Sequence, residues 1–109
     1  MRRTIFISPN RQEVFDMMRH VAEQNGFDIL YADRFHLEVE AMKGKRVGSK
    51  KHLSLRIIEF KNSELEVNIE VRNMGLELKR NKKNDLLEAK IERMLLAEVR
   101  LNKKNTSAA

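Results

Sequence analysis

The sequence predicts an α+β fold, a two-layer sandwich with two helices on one face of an antiparallel sheet, in the order β-α-β-β-β-β-α. Three observations predict it. Apolar residues recur at helical spacing in only two stretches, one near each end of the chain. Between them, four segments alternate apolar and polar residues with period two, the pattern of strands with one buried face. A short β-branched run, RTIFIS, precedes the first helical stretch.

That run, Arg3 to Ser8, is the first strand, with Ile5 and Ile7 on one face and Phe6 on the other, buried in part on both. Ser8-Pro9 reads as a helix start, a side-chain oxygen followed by a residue suited to the first helical position. Val14, Phe15, Met18, Val21 and Ala22 form the buried stripe of a helix over 9–25, and Gly26 supplies its left-handed stop. Phe27, Ile29 and Tyr31 then alternate in a second strand, and Ala32-Asp33-Arg34 is a tight turn. Phe35, Leu37, Val39 and Ala41 point inward in the third strand, with His36, Glu38, Glu40 and Met42 outward. After the connection MKGKRVGSKK (42–51), Leu53, Leu55 and Ile57 face in while His52, Ser54 and Arg56 face out. Parity fails around Ile57, Ile58 and Phe60, which calls for a bulge or an odd turn there. Lys61-Asn62-Ser63 is a turn, and Leu65, Val67, Ile69 and Val71 make the cleanest alternating strand. Gly75 marks a bulge or second turn, with Leu76 and Leu78 continuing at shifted parity. Asp85 with Glu88 resembles a capping box, and Leu87, Ile91, Met94, Leu95 and Val99 stripe a second helix to about 102. The chain reads as one domain over 1–104 with a frayed polar tail at 105–109.

A chain of 109 residues can bury a core without disulfides, and the absence of cysteine excludes thiolate chemistry and thiolate metal sites. The apolar run in MRRTIFISPN is too short for a secretory signal or a membrane span, so the expected setting is the cytoplasm, with no membrane partner. Lys plus Arg number 22 against 16 Asp plus Glu, a net charge of +6 that favours anionic partners.

The element order resembles that of the TATA-binding-protein-like fold and of the ribosome hibernation-promoting family. The likeness is one of layout and carries no residue motif.

Strand parity makes the outward sheet face legible. It bears Glu38, Glu40, Ser54, Arg56, Glu64, Glu66, Asn68, Glu70 and Arg72, a mixed face that leans acidic. If the turn spans 43–51, residue 42 faces 52, Glu40 faces Ser54 and Glu38 faces Arg56. A nucleic-acid-binding sheet would carry lysine, arginine and stacking aromatics there, and Phe15, Phe27, Tyr31, Phe35 and Phe60 have no place on it. Basic charge is gathered at the edges instead. Lys43, Lys45, Arg46, Lys50 and Lys51 occupy the hairpin, Lys79, Arg80, Lys82 and Lys83 precede the last helix, and Arg2, Arg3, Lys103 and Lys104 lie at the termini. These four short clusters hold thirteen of the 22 basic residues. Gly44 and Gly48 let the hairpin bend, which suits a basic finger that orders on a partner. Turns also collect lysine simply because it is soluble and guards sheet edges.

No catalytic residue, metal ligand set or cofactor motif emerges. His36 and His52 lie about six residues, roughly 20 Å, apart along the ladder and cannot share a zinc ion. His20 reads as a surface or boundary residue. Ser8 is spent on a helix cap, GKRVGSK lacks the spacing of a phosphate loop, and the exposed pair Glu38 and Glu40 has no desolvation to separate its titrations. The expected function is a non-enzymatic binding module that contacts RNA or a ribonucleoprotein through the hairpin and the 79–83 segment. The alternative is an assembly module forming homo- or hetero-oligomers through a sheet edge or the open sheet face.

Overall fold

Strands β2 (Asp28–Asp33), β3 (Glu38–Lys43), β4 (Lys51–Glu59) and β5 (Glu64–Asn73) form a meander, and β1 (Arg2–Ile7) adds antiparallel to the far side of β5. The sheet order is therefore β1-β5-β4-β3-β2, antiparallel at every step. Helices α1 (Arg11–Gln24) and α2 (Lys82–Ser107) pack on one face, which gives the α+β sandwich and the element order expected. The structure, a computed structural model, describes residues 1–7, 10–44, 50–74 and 82–107. The Ser8-Pro9 start, Lys45, Arg46, Gly48, Gly75, Leu76, Leu78, Lys79 and Arg80 lie outside the described residues, as do the side chains of Phe6 and Ile7.

Asn10 caps α1: its Oδ1 accepts the Glu13 N–H at 3.0 Å, satisfying one of the orphan amides of the first turn. At the other end Gly26, with φ +82°, takes the left-handed conformation that lets the chain leave the helix. Val14, Phe15, Met18, Val21 and Ala22 meet Val39, Ala41, Leu53, Leu55, Val67 and Ile69 from the sheet and Ile91, Leu95 and Val99 from α2 in one buried cluster. Each large aliphatic side chain in it contributes about 1.5–3 kcal/mol through burial.

Several local expectations are corrected. Thr4 is buried and Ile5 is 56% exposed, so β1 turns Thr4 to the helices and Ile5 to the open face. β4 and β5 pair without a bulge through Ile57–Val67 and Ile58–Glu66, and Ile58 simply faces outward. A register shift between Ile29 and Tyr31 instead places the bulge in β2, where it brings Tyr31 opposite Glu40 on the outer face. Phe35, expected inside, is 89% exposed because it belongs to the β2–β3 turn and not to β3. Helix α2 starts ahead of Asp85, and Glu88 is 1% exposed and turned under the sheet. Its Oε2 accepts the Val71 N–H at 2.8 Å, a donor left over where β1 runs out beyond the Arg2–Ile69 pair, and the Met1 ammonium lies 3.4 Å from Oε1.

Candidate functional site

The basic connection leaves β3 at Lys43 and enters β4 at Lys51, and these two residues are cross-strand partners. Because Met42 and His52 share the outer face with Glu40 and Ser54, Lys43 and Lys51 stand on the helix side, at the end of the sheet. They are the last rungs of a ladder, not residues of a solvated loop. Gly44, with φ +105°, starts the turn beyond them.

Each lysine is tied to a helix end. Lys43 donates from Nζ to the Asn25 carbonyl at 3.1 Å, at the C-terminus of α1, and sits 4.8 Å from the centre of the Phe27 ring. A helix C-terminus and an aromatic face both favour a cation. Lys51 donates to Asn84 Oδ1 at 2.6 Å, and Asn84 Nδ2 donates to Asn73 Oδ1 at 3.1 Å. Asn84 is 3% exposed, so this amide rivets the first turn of α2 to the end of β4 and β5. The Met74 N–H reaches the Lys50 carbonyl at 2.8 Å and carries the ladder one step further.

That rivet brings α2, which begins with Lys82 and Lys83, to the same end of the sheet as Lys43, Lys50 and Lys51. Of the nine basic residues singled out in the sequence, these five are described and they gather at one end; Lys45, Arg46, Lys79 and Arg80 are outside the described residues. The electrostatics show how close the gathering is. Both Lys43 and Lys51 are held below the ordinary lysine value, first by burial and then by other lysines, Lys51 and Lys90 acting on Lys43 and Lys83 on Lys51. Lys90 was not singled out from sequence. Its signal was available, because Lys90 follows Lys83 by seven positions, two helical turns, on the same face.

The outer face is different. Asp28, Asp33, Glu38, Glu40, Glu64, Glu66 and Glu70 share it with Arg3, Arg56 and Arg72. Glu38 pairs with Arg56 across the strands, Ser54 donates to Glu40 at 2.9 Å, His52 Nε2 lies 3.0 Å from Glu40, and Arg72 bonds Glu70 at 2.7 Å. Glu40, His52, Ser54, Glu70 and Arg72 line a shallow depression of about 170 Å³. Among the described residues no three His, Cys, Asp or Glu side chains come together as a metal site.

At the opposite end of β3 the turn 34–37 is held by side chains. Asp33 Oδ1 accepts the N–H groups of Phe35 and His36, each at 2.9 Å. Its Oδ2 accepts the Tyr31 hydroxyl at 2.6 Å and lies 2.6 Å from His36 Nδ1. The Tyr31 and His36 bonds hold the Asp33 carboxyl well below the usual range, and the same carboxylate pushes His36 and Tyr31 up. Arg34 bonds Gln12 at 3.0 Å and Asp16 at 2.8 Å on α1 and stacks over Phe15. Among the described residues no helix is long and apolar enough to cross a membrane. No protein-family model matches the chain and no curated protein matches it, so its geometry alone carries the functional reading.

Proposed function

We propose that the protein is a non-catalytic binding module whose basic end takes a phosphate-bearing partner, RNA or a ribonucleoprotein. One observation supports this above the rest: Lys43 and Lys51 face each other across β3 and β4, and Lys83 and Lys90 of α2 lie close enough to add to the cost of their charge. An anion placed among such lysines relieves that cost. Lys50 and Lys82 enlarge the same end, and Lys45, Arg46, Lys79 and Arg80 are adjacent in sequence. The acid-leaning outer face repels a polyanion, so contact is made at one end of the sheet and not across it. Lysines acting as point charges, with Phe27 beside Lys43 buried out of reach of a base, suit tracking of a phosphate backbone more than reading of bases.

The test is affinity for a generic single-stranded RNA and for duplex DNA as a function of salt. Log affinity is expected to fall against log salt by about 0.7 per phosphate contacted on a single strand. Serine at Lys50, Lys82, Lys83 and Lys90 is expected to weaken binding to every sequence alike. A flat salt response, or unchanged binding by that variant, rules the reading out.

A second reading, protein–protein assembly through a sheet edge or the open face, is favoured by a separate observation. The outer face leans acidic, and β1 and β2 stand at the two ends of the sheet order. Light scattering at two salt concentrations separates the two readings: a salt-sensitive oligomer without nucleic acid favours assembly, and a monomer that purifies with a high 260/280 ratio favours the first.

A further inference from the structure

We infer that the free edge of β1 pairs antiparallel with the β1 edge of a second copy of this chain, centred on Ile5, and joins two sheets into one. The inference narrows the assembly reading to one edge and one register; it rests on that reading and not on nucleic-acid binding. Backbone orientation decides which groups are available. Glu88 takes the Val71 N–H on the β1 side of β5, whereas the Glu64 carbonyl accepts the Phe60 N–H on the β4 side. Odd-numbered residues of β5 therefore turn their peptide groups to β1 and even-numbered ones to β4, the alternation of an antiparallel ladder. Arg2, Thr4 and Phe6 stand opposite Ile69, Val67 and Leu65 and use their peptide groups on β5. Arg3, Ile5 and Ile7 turn theirs to the open edge, where among the described residues no other strand takes them.

The other edge is guarded and this one is not. β2 has a bulge between Ile29 and Tyr31 and an aspartate at each end, devices that spoil edge pairing. β1 pairs in unbroken register, and Thr4, Ile5 and Phe6 at its centre are uncharged. Centring the new ladder on Ile5 sets Arg3 against Ile7 of the copy, and every edge-facing residue exchanges both its N–H···O bonds. Moving the centre to Thr4 or Phe6 leaves Ile7 or Arg3 without a strand residue opposite. Side chains agree with that register. Ile5, 56% exposed on the outer face, meets its own copy at about 5.5 Å between Cα atoms. Arg3 enters the row of the copy's Glu64, two strands or roughly 10 Å away, within the joint reach of the two side chains. Neither has an ion-pair partner among the described residues, and the two-fold axis makes the pair twice. The helices leave room: α2 packs more on β5 than on β1, so its two copies stand three strand spacings apart, roughly 14 Å. Helices in contact are only about 8–10 Å apart. The contact is isologous and closes at two subunits, with the basic ends at opposite ends of the joined sheet.

The experiment is sedimentation equilibrium on nuclease-treated full-length protein, with amide hydrogen exchange at low and high protein concentration. Wild type is expected to approach a dimer and no larger species as concentration rises. The Arg3 and Ile5 amides should become protected as it does, while that of Thr4 is protected throughout. Ile5→Pro removes an edge-facing N–H and no bond to β5, so it should stay folded. It is expected to weaken dimerisation by about tenfold or more, one hydrogen bond being lost from each subunit. Arg3→Glu is expected to weaken it by about tenfold, and adding Glu64→Arg to the same chain should restore it. Monomeric wild type at every concentration would overturn both the inference and the assembly reading. An oligomer that survives Ile5→Pro, leaves the Arg3 and Ile5 amides unprotected, or is not restored by the charge exchange would overturn the inference alone.

Discussion

Lys51 Nζ donates a hydrogen bond to Asn84 Oδ1 at 2.6 Å, and through that amide a strand end and a helix start are held as one basic surface. Asn84→Ala removes a buried group that serves Lys51 on one side and Asn73 on the other. The expected cost is about 1–3 kcal/mol, because both partners lose a bond at a site with little water. Urea unfolding measures it, and a change within experimental error would show that the bridge does not hold α2.

The crowded lysines make stability rise with pH on the alkaline side. Lys43 and Lys51 have folded values below the ordinary 10.5, so the unfolded chain binds more protons in the interval between. Their penalty is present in full below the folded values and is relieved as pH climbs towards 10.5. Tyr31, raised from 10.0 by its bond to Asp33, acts in the opposite sense above that pH. Thermal melts between neutral and alkaline pH should therefore show a rise that shrinks in Lys51→Met. Inorganic polyphosphate at neutral pH should raise the melting temperature of wild type more than that of Lys51→Met.

His36 reports on the turn. Asp33 accepts from its ring and raises its pKa above 6.5, so the contact stabilises below 6.5 and its contribution is lost as pH rises through the folded value. In Asp33→Asn, NMR titration should return His36 towards 6.5, and the amides of Phe35 and His36 should exchange faster. An unmoved His36 titration would mean that Asp33 does not organise the turn.

The β4–β5 turn places two consecutive residues, Asn62 at φ +63° and Ser63 at φ +62°, in the left-handed region. Asn tolerates that conformation, whereas Ser carries a Cβ that crowds the following carbonyl. Ser63→Gly is expected to stabilise the fold by about 0.5–1 kcal/mol, the strain relieved less the extra entropy of glycine in the unfolded chain. Denaturant midpoints at equal slope test this, and destabilisation would refute it.

Legibility followed the range of the interaction. The pairs Met42–His52, Glu40–Ser54 and Glu38–Arg56 could be read from sequence because one turn length and one parity determine them all. Tyr31 was misplaced because a single extra residue at Leu30 reverses the rest of β2, and nothing in the residue types announces a bulge; Phe35 was misplaced because the turn runs on through Leu37 before β3 begins. Glu88 has the spacing of a cap, but the amide it serves belongs to Val71, whose need arises only once β1 has stopped at Arg2. The basic residues were legible as a list of charges. Their meeting depended on Asn84, an uncharged residue in a break between patterns, and on which end of the sheet α2 returns to.

Of the five strands, the one made before the others is among the last that can find its place. β1 pairs only with β5, and Arg2 must wait for Ile69, 67 positions later, whereas β2 to β5 can close as successive hairpins. Loop closure over such a span slows pairing relative to local turns. Until β5 has emerged, β1 lacks the strand that takes its hydrogen bonds in this sheet and is open to pairing with another chain. Pulse-labelled hydrogen exchange during refolding should protect amides of β3 and β4 before those of β1, and simultaneous protection would show that the sheet forms in one step. The order in which this chain is made thus runs against the order in which its sheet can be completed.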